Sequence, residues 1–183
     1  MKTSASILTM KNTLHNEIED ESSSAAKENS NQFLTFTIAD EHFGMDLHQT
    51  REIIEYAGVT QVPLMPQFIS GVINLRGEVV PVIDLSVRLG REAITIHKRT
   101  CVIVIELQSS EQHCVLGLLA DAVNEVIDIS SSNIEDAPAF GAKIRAEFIQ
   151  GIAKKDEEFI VLLDAEKTLS PKELAHLVEA ELQ

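Results

Sequence analysis

The stretch GVINLRGEVVPVIDL, residues 71–85, sets the local pattern from which the fold can be predicted. Apolar residues on both sides of Arg76 and Gly77 predict two strands joined by a tight turn. Asp84 follows the second strand, where an acidic side chain commonly caps the first turn of a helix. The stretch therefore predicts a β-hairpin that leads into a short helical segment, which Gly90 ends.

A second version of this pattern lies 80 residues further on, in GIAKKDEEFIVLLDA, residues 151–165. The preceding strands repeat at a shift of 73 residues, which aligns Gly44 with Gly117 and Glu52 with Glu125. Because the two shifts differ, the second copy carries an insertion, which we place in residues 130–145. The chain is predicted to contain two diverged copies of one structural unit.

Short alternating strands in each copy favour a small closed barrel, because closure leaves no exposed strand edge. Each copy is small for an independent domain, so the two are expected to share an apolar seam. We assign residues 1–31 to a disordered acidic and polar tail, 32–95 to the first barrel and 96–168 to the second. Ser170 and Pro171 mark the start of a C-terminal helix over 170–182.

The charge of the chain excludes some classes of partner. Fifteen Lys and Arg residues oppose 29 Asp and Glu residues, giving a formal charge of −14. This charge repels nucleic acid and anionic lipid, so neither is expected as a partner, and direct membrane insertion is not expected. Residues 2–10 lack the apolar stretch of a signal peptide, which predicts a cytoplasmic protein.

Arg76 stands out as a functional candidate. It is a cation at a hairpin turn of an acidic protein, and the residue 80 positions later is Asp156 rather than a second arginine. A turn arginine in water is the ordinary interpretation. The difference between the copies weakens that interpretation, since a guanidinium group is well suited to anchor a protein interface.

Residues 71–77, followed by VPVIDL in 80–85, closely resemble the signature of the CheW family of chemotaxis coupling proteins. The resemblance covers about residues 32–178. It implies a mainly β fold of two SH3-like, five-stranded β-barrels packed together, with short helices and a C-terminal helix. It also implies a scaffold without catalytic activity or cofactor, which couples the cytoplasmic tips of chemoreceptors to the histidine kinase CheA.

The resemblance further implies where the partners bind. Arg76 and Glu52 are expected at or near the receptor-binding groove, together with Thr50, Cys101, Val102, Val123 and Val126. Leu47 and Phe43 are expected at the kinase interface. The implied partners are the chemoreceptor cytoplasmic hairpin, the regulatory domain of a CheA-type kinase and other CheW copies in array rings. The implied location is the cytoplasm, at membrane-associated receptor arrays.

Two alternatives stay open at the level of sequence. The first is a CheW-like adaptor in a chemosensory pathway that controls surface motility or another output instead of flagella. The second belongs to another class, a small β-barrel hydrolase or metalloenzyme that uses Cys114 and His113. Adjacent strand residues point to opposite faces, so these two side chains are poorly placed to share one site.

Overall fold

The computed structural model describes most of the chain, namely residues 30–108, 113–138 and 144–181. Residues 1–29 of the predicted tail lie outside the described residues. The first strand begins at Ser30, so Ser30 and Asn31 belong to the folded domain and not to the tail. They pair through their backbones with Ser130 and Ile129. The sequence did not predict this pairing, because Ser and Asn are not typical strand residues.

The described residues form eleven strands and three α-helical segments. Strands β1 to β11 span Ser30–Ile38, Glu41–Asp46, Thr50–Glu55, Ile69–Leu75, Glu78–Asp84, Cys101–Gln108, His113–Ala120, Ala122–Ser130, Ile134–Glu135, Ile149–Lys155 and Glu158–Leu163. Helices α1, α2 and α3 span Leu85–Arg88, Ala165–Thr168 and Pro171–Glu181. The side chains of Asp84 and Asp164 accept hydrogen bonds at the starts of α1 and α2, as capping residues do.

The strands form two sheets, which confirms the mainly β fold. Barrel one has the order β8-β1-β2-β11-β10-β9, and barrel two has the order β3-β6-β7-β5-β4. In barrel two, Thr60 follows β3 and bridges to Val72 of β4 at the other edge. In barrel one, β9 follows β8 and pairs with β10 in the same way. Both sheets therefore close, with β8 and β9 acting as two parts of one bent edge.

The two sequence copies exchange their first hairpins. Strands β1 and β2 come from the first copy but pair with β8 and β11 of the second. Strands β6 and β7 come from the second copy but pair with β3 and β5 of the first. The predicted division into barrels of 32–95 and 96–168 is therefore wrong. Barrel one is built from β1, β2 and β8 to β11, and barrel two from β3 to β7.

The largest apolar cluster lies between the barrels, and smaller clusters fill their interiors. We call the first of these the seam cluster; it confirms the expected shared seam. Its buried members include Leu34, Phe36, Ile38, Phe43, Met45, Ile83, Ile103, Ile105, Leu118 and Phe148. The interior of barrel one holds Phe33, Ile127, Ile129, Ala153, Ile160 and Leu162, and that of barrel two holds Val80, Val82, Val102, Val104, Val115 and Leu119. Strand alternation thus sends one face of most strands to the seam and the other to a barrel interior.

Two equivalent glycines allow each barrel to close. A Cβ atom on Gly71 would lie 2.5 Å from the carbonyl oxygen of Thr60, the residue that bridges the edges of barrel two. A Cβ atom on Gly151 would lie 2.4 Å from Ile134 Cγ2, on the strand that closes barrel one. Only a residue without a side chain permits these approaches, which explains why the repeat keeps glycine at both positions.

The junction between the copies is fastened by a buried arginine. The guanidinium carbon of Arg88 lies 5.5 Å from the ring centre of Phe68 and 4.8 Å from that of Phe148, two positions related by the 80-residue shift. Arg88 Nε donates a hydrogen bond to the Thr168 carbonyl at 2.8 Å. Its Nη2 lies 3.0 Å from Oε2 of Glu173, so the arginine also ties α3 to the body of the protein.

Candidate docking site

The residues singled out at the hairpin turn form a two-point ion pair. Arg76 Nη1 and Nη2 donate hydrogen bonds to Glu52 Oε1 and Oε2, both at 2.9 Å. Arg76 has a backbone φ of +52°, the left-handed conformation that the tight turn imposes. The side chain of Glu52 is 10% exposed, whereas that of Arg76 is 69% exposed. The carboxylate therefore fixes the guanidinium group in one orientation while most of that group faces solvent.

This ion pair connects opposite edges of barrel two. Glu52 lies on β3, and Arg76 lies in the turn that joins β4 to β5. Beside it, Arg51 Nη1 lies 3.4 Å from Glu78 Oε2, again between β3 and this hairpin. The pairs supplement the Thr60 bridge and hold the turn at the rim of the barrel. Arg76 thus has a structural contact and an exposed surface at the same time.

Three of the predicted groove residues lie together at the edge of the seam. Val123 and Val126 of β8 are partly buried and pack against the seam cluster, to which Cys101 of β6 belongs. The Cys101 thiol lies beside the backbone of Val123, and burial raises the pKa of this thiol to about 11. These three side chains are apolar and lie in or against the seam cluster. We name Cys101, Val123 and Val126 the seam strip.

The structure separates Val102 from that strip. Val102 is buried inside barrel two, because it follows Cys101 directly on β6 and so points to the opposite face. The predicted place of Val102 in the groove wall is therefore wrong, because its side chain lies inside barrel two. Thr50, at the start of β3, is also buried, so little of its side chain is available to a partner.

The two residues predicted at the kinase interface are likewise buried. Phe43 is fully enclosed in the seam cluster, where its ring stacks on that of Phe36 with the ring centres 6.1 Å apart. Leu47, in a turn of 3-10 helix, belongs to the same cluster. Because both side chains are buried, neither is exposed for direct contact with a partner. The exposed residue of that turn is His48.

Two residues close in sequence to Glu52 and Arg76 were not among the predicted site residues. Ile53, the residue after Glu52 on β3, is buried in the seam cluster, so its side chain lies on the face of the strand opposite to that of Glu52. Val79 is an exposed apolar residue on the strand that follows the Arg76 turn. The exposure of Val79 could have been predicted from strand alternation. Val80 and Val82 are buried, and Val79 lies on the other, outer face of the strand.

Within the described residues, no group of three or more His, Cys, Asp or Glu side chains is placed to hold a metal ion. His113 contacts Glu106 at the surface, with Nε2 and Oε1 2.5 Å apart. Cys114 packs against the seam cluster, and burial raises the pKa of its thiol. A nucleophilic cysteine needs the opposite shift, so this arrangement does not favour the Cys-His enzyme.

Fold and site together define a class, a two-barrel protein-docking module with a fixed, exposed cation beside an aliphatic seam. Comparison with known proteins agrees with this class. The family model of the CheW-like domain matches residues 32–173. The chain belongs to the CheW-like family.

Individual relatives support the assignment. The chemotaxis protein CheW of Klebsiella aerogenes is 35% identical over 144 residues, which cover 79% of this chain and 84% of the relative. The protein FrzA of Myxococcus xanthus is 32% identical over 140 residues, covering 75% of this chain and 84% of the relative. The crystal structure of the scaffolding protein TtCheW from Thermoanaerobacter tengcongensis superposes with a TM-score of 0.68 at 33% identity, covering 79% of this chain and 90% of that chain.

Within residues 30–108, 113–138 and 144–181, none of the helices has the length and apolar character needed to cross a bilayer.

Proposed function

We propose that the protein is a non-catalytic adaptor that couples the cytoplasmic tips of chemoreceptors to a CheA-type histidine kinase. The observation that carries the proposal is the Arg76–Glu52 pair, an exposed guanidinium held by a nearly buried carboxylate. The pair ties the β4–β5 turn to β3, a strand whose other face carries Ile53 of the seam cluster, in a fold shared with a scaffolding protein. The expected location is the cytoplasm, at membrane-associated receptor arrays.

The geometry suits an apolar helical hairpin. Such a hairpin would bury an aliphatic row against the seam strip, and Arg76 would set its register by binding a carboxylate or carbonyl group. Because Glu52 already orders the arginine, binding costs less side-chain entropy than it would with a mobile cation. Modest affinity is sufficient, since an array links many such contacts and raises their effective concentration.

The kinase-facing surface is proposed at the turn that contains Leu47. In this proposal the buried side chains of Phe43 and Leu47 hold the turn in place, and the exposed His48 faces the partner. The regulatory domain of CheA, which is expected to share the two-barrel fold, would dock there. A receptor signal would then change the relative energies of two arrangements of the docked kinase.

The receptor contact is tested by measuring how a chemoreceptor cytoplasmic fragment binds to wild type, Arg76→Ala and Glu52→Ala. We expect both variants to bind at least tenfold more weakly, because truncation of an interface anchor costs about 2 kcal/mol. Lys98→Ala, which removes an exposed cation outside the pair, serves as the control and should bind like wild type. Unchanged binding of both variants with unchanged melting temperatures would refute the groove assignment.

The alternative function as a metalloenzyme is tested on the same purified protein. Elemental analysis that found stoichiometric zinc or iron would contradict the adaptor proposal. Absence of receptor-fragment binding by the wild type would contradict it as well.

A further inference from the structure

We infer that the outer surface around Phe159 of β11 is a contact face through which two copies of this chain pair. The side chain of Phe159 is 65% exposed, whereas the five other phenylalanines that the structure describes are buried. The largest apolar group on the outside of barrel one therefore faces solvent. The inference goes beyond the proposed function and does not depend on a receptor or a kinase, because it concerns the chain alone.

Strand pairing places a lysine and a glutamate on either side of Phe159. Lys154 of β10 is its direct partner in the antiparallel ladder, so the two side chains share a face. On the other side, β11 runs parallel to β2, and Ile160 pairs with His42. Phe159 and Glu41, one residue earlier on each strand, therefore point together to the opposite face. We call Lys154, Phe159 and Glu41 the outer row, since neighbouring strands are about 4.8 Å apart and the order is cation, ring, anion.

Both charged ends of the outer row are available to a second molecule. Glu41 binds Arg91, whose guanidinium carbon lies 5.5 Å from the ring centre of Phe43. The Glu41 side chain is nevertheless 56% exposed, and a carboxylate has acceptor capacity for a second cation. Lys154 is 54% exposed, and its Nζ lies 3.3 Å from the carboxylate of Glu157 in the turn. Such an exposed pair contributes little stability, so the lysine can change partners at small cost.

The outer row is complementary to itself. A two-fold axis that lies in the contact plane, parallel to the strands and over Phe159, reverses the order of the row in the second copy. Each Lys154 then faces the Glu41 of the other copy, and the two Phe159 rings meet at the axis. An isologous contact requires this property, because the same patch serves both copies, whereas a ring joins two different patches. The charge order of the row therefore identifies a second copy of this chain as the partner.

The association is expected to be weak. A stable dimer buries about 800 Å² on each partner, and one aromatic ring with two flanking ion pairs covers only part of such an area. Each copy also carries a formal charge of −14, which opposes the approach of a second copy. We therefore expect a dissociation constant on the order of 0.1–1 mM at physiological salt. A contact of this strength links chains that are already held at high local concentration.

The test is sedimentation equilibrium of the purified full-length chain at concentrations up to about 2 mM. Phe159→Ser should weaken self-association at least tenfold, because the central apolar contact is lost. Val79→Ser is the matched control. Val79 is equivalent to Phe159 by the 80-residue shift and is 67% exposed, but its cross-strand neighbour is the uncharged Asn74. This control should associate like wild type. A wild type that stays monomeric, or equal losses in the two variants, would overturn the inference.

Charge reversal tests the two-fold geometry itself. Lys154→Glu sets glutamate against glutamate and Glu41→Lys sets lysine against lysine, so each variant alone should associate at least tenfold more weakly than wild type. An equimolar mixture should recover the association, because every glutamate of one row then faces a lysine of the other. Persistent monomers in the mixture, with both variants folded by thermal unfolding, would overturn the inference. If Glu41→Lys does not fold without its Arg91 contact, the comparison of Phe159→Ser with Val79→Ser decides alone.

Discussion

Replacing Arg88 by alanine tests how the two copies are held together. The Arg88 side chain is 6% exposed, lies between two phenylalanine rings and donates to the Thr168 carbonyl. The loss of a charged hydrogen bond costs about 1.5–3 kcal/mol, and the loss of cation–π contact costs about 1 kcal/mol. Glu173 would also lose a cationic partner at 3.0 Å. We expect the free energy of unfolding to fall by about 3–4 kcal/mol, as when one partner of a buried pair is removed.

Urea unfolding measures this loss, and thermal unfolding should show a melting temperature lower by roughly 10 °C for a chain of this size. Arg145→Ala is the control, because Arg145 contacts the same glutamate and stacks on Phe148, with its guanidinium carbon 4.5 Å from the ring centre, but is half exposed. It should cost less than about 1 kcal/mol. If both variants lowered the free energy of unfolding equally, burial would not be the reason that Arg88 stabilises the junction more than Arg145.

Three further predictions concern backbone space, acid stability and thiol reactivity. Gly71→Ala should lower the free energy of unfolding by about 3 kcal/mol in urea, since φ is +152° and the added Cβ atom would lie 2.5 Å from a backbone oxygen. Gly90→Ala is the control and should cost only about 1 kcal/mol, because φ is +82° but no atom lies within 4 Å of the added Cβ. Equal losses in the two variants would contradict the steric explanation. Burial tends to raise the pKa of Glu173, but the contacts of its carboxylate with Arg145 and Arg88 outweigh it and lower the pKa below its ordinary 4.5. The stability from this group is therefore complete above pH 4.5 and lost as the pH falls through the folded-state pKa, so a Glu173→Gln variant should lose less stability than wild type between pH 5 and pH 3 in acid unfolding. At pH 8, iodoacetamide should modify Cys101 more slowly than the half-buried Cys114 in native protein, as followed by mass spectrometry, and the reverse order would contradict the assigned burial.

Local features of the fold could be predicted from the sequence, but long-range pairing could not. The hairpin around Arg76, the caps at Asp84 and Asp164 and the repeat depend on nearby residues, which the sequence shows directly. The exchange of hairpins depends on which of two similar strands pairs with β8 or β5. Since the copies resemble each other, either pairing satisfies the same hydrophobic pattern, and the sequence contains no local signal that separates them.

The candidate site shows the same limit. The resemblance identified Arg76 and Glu52, which the structure joins by two hydrogen bonds. It placed Val102 and Phe43 at surfaces, although both are buried. Alternation separates the two faces of a strand, but in this fold both faces of most strands are covered, one by the seam and one by a barrel interior. A period of two residues therefore does not identify which face is available to a partner.

The hairpin exchange has a mechanical consequence. Within the described residues the chain passes between the barrels twice, once through Leu47–Gln49 and once through Asp121 alone. Such short passages leave little slack, and Asp121 is itself anchored at both ends, since its N–H donates to the Thr37 carbonyl and its carboxylate accepts from the Ala39 N–H at 2.7 Å. A force applied to one barrel is thus transmitted to the other through the covalent chain. The two barrels should therefore move as one stiff body and not as independently hinged domains.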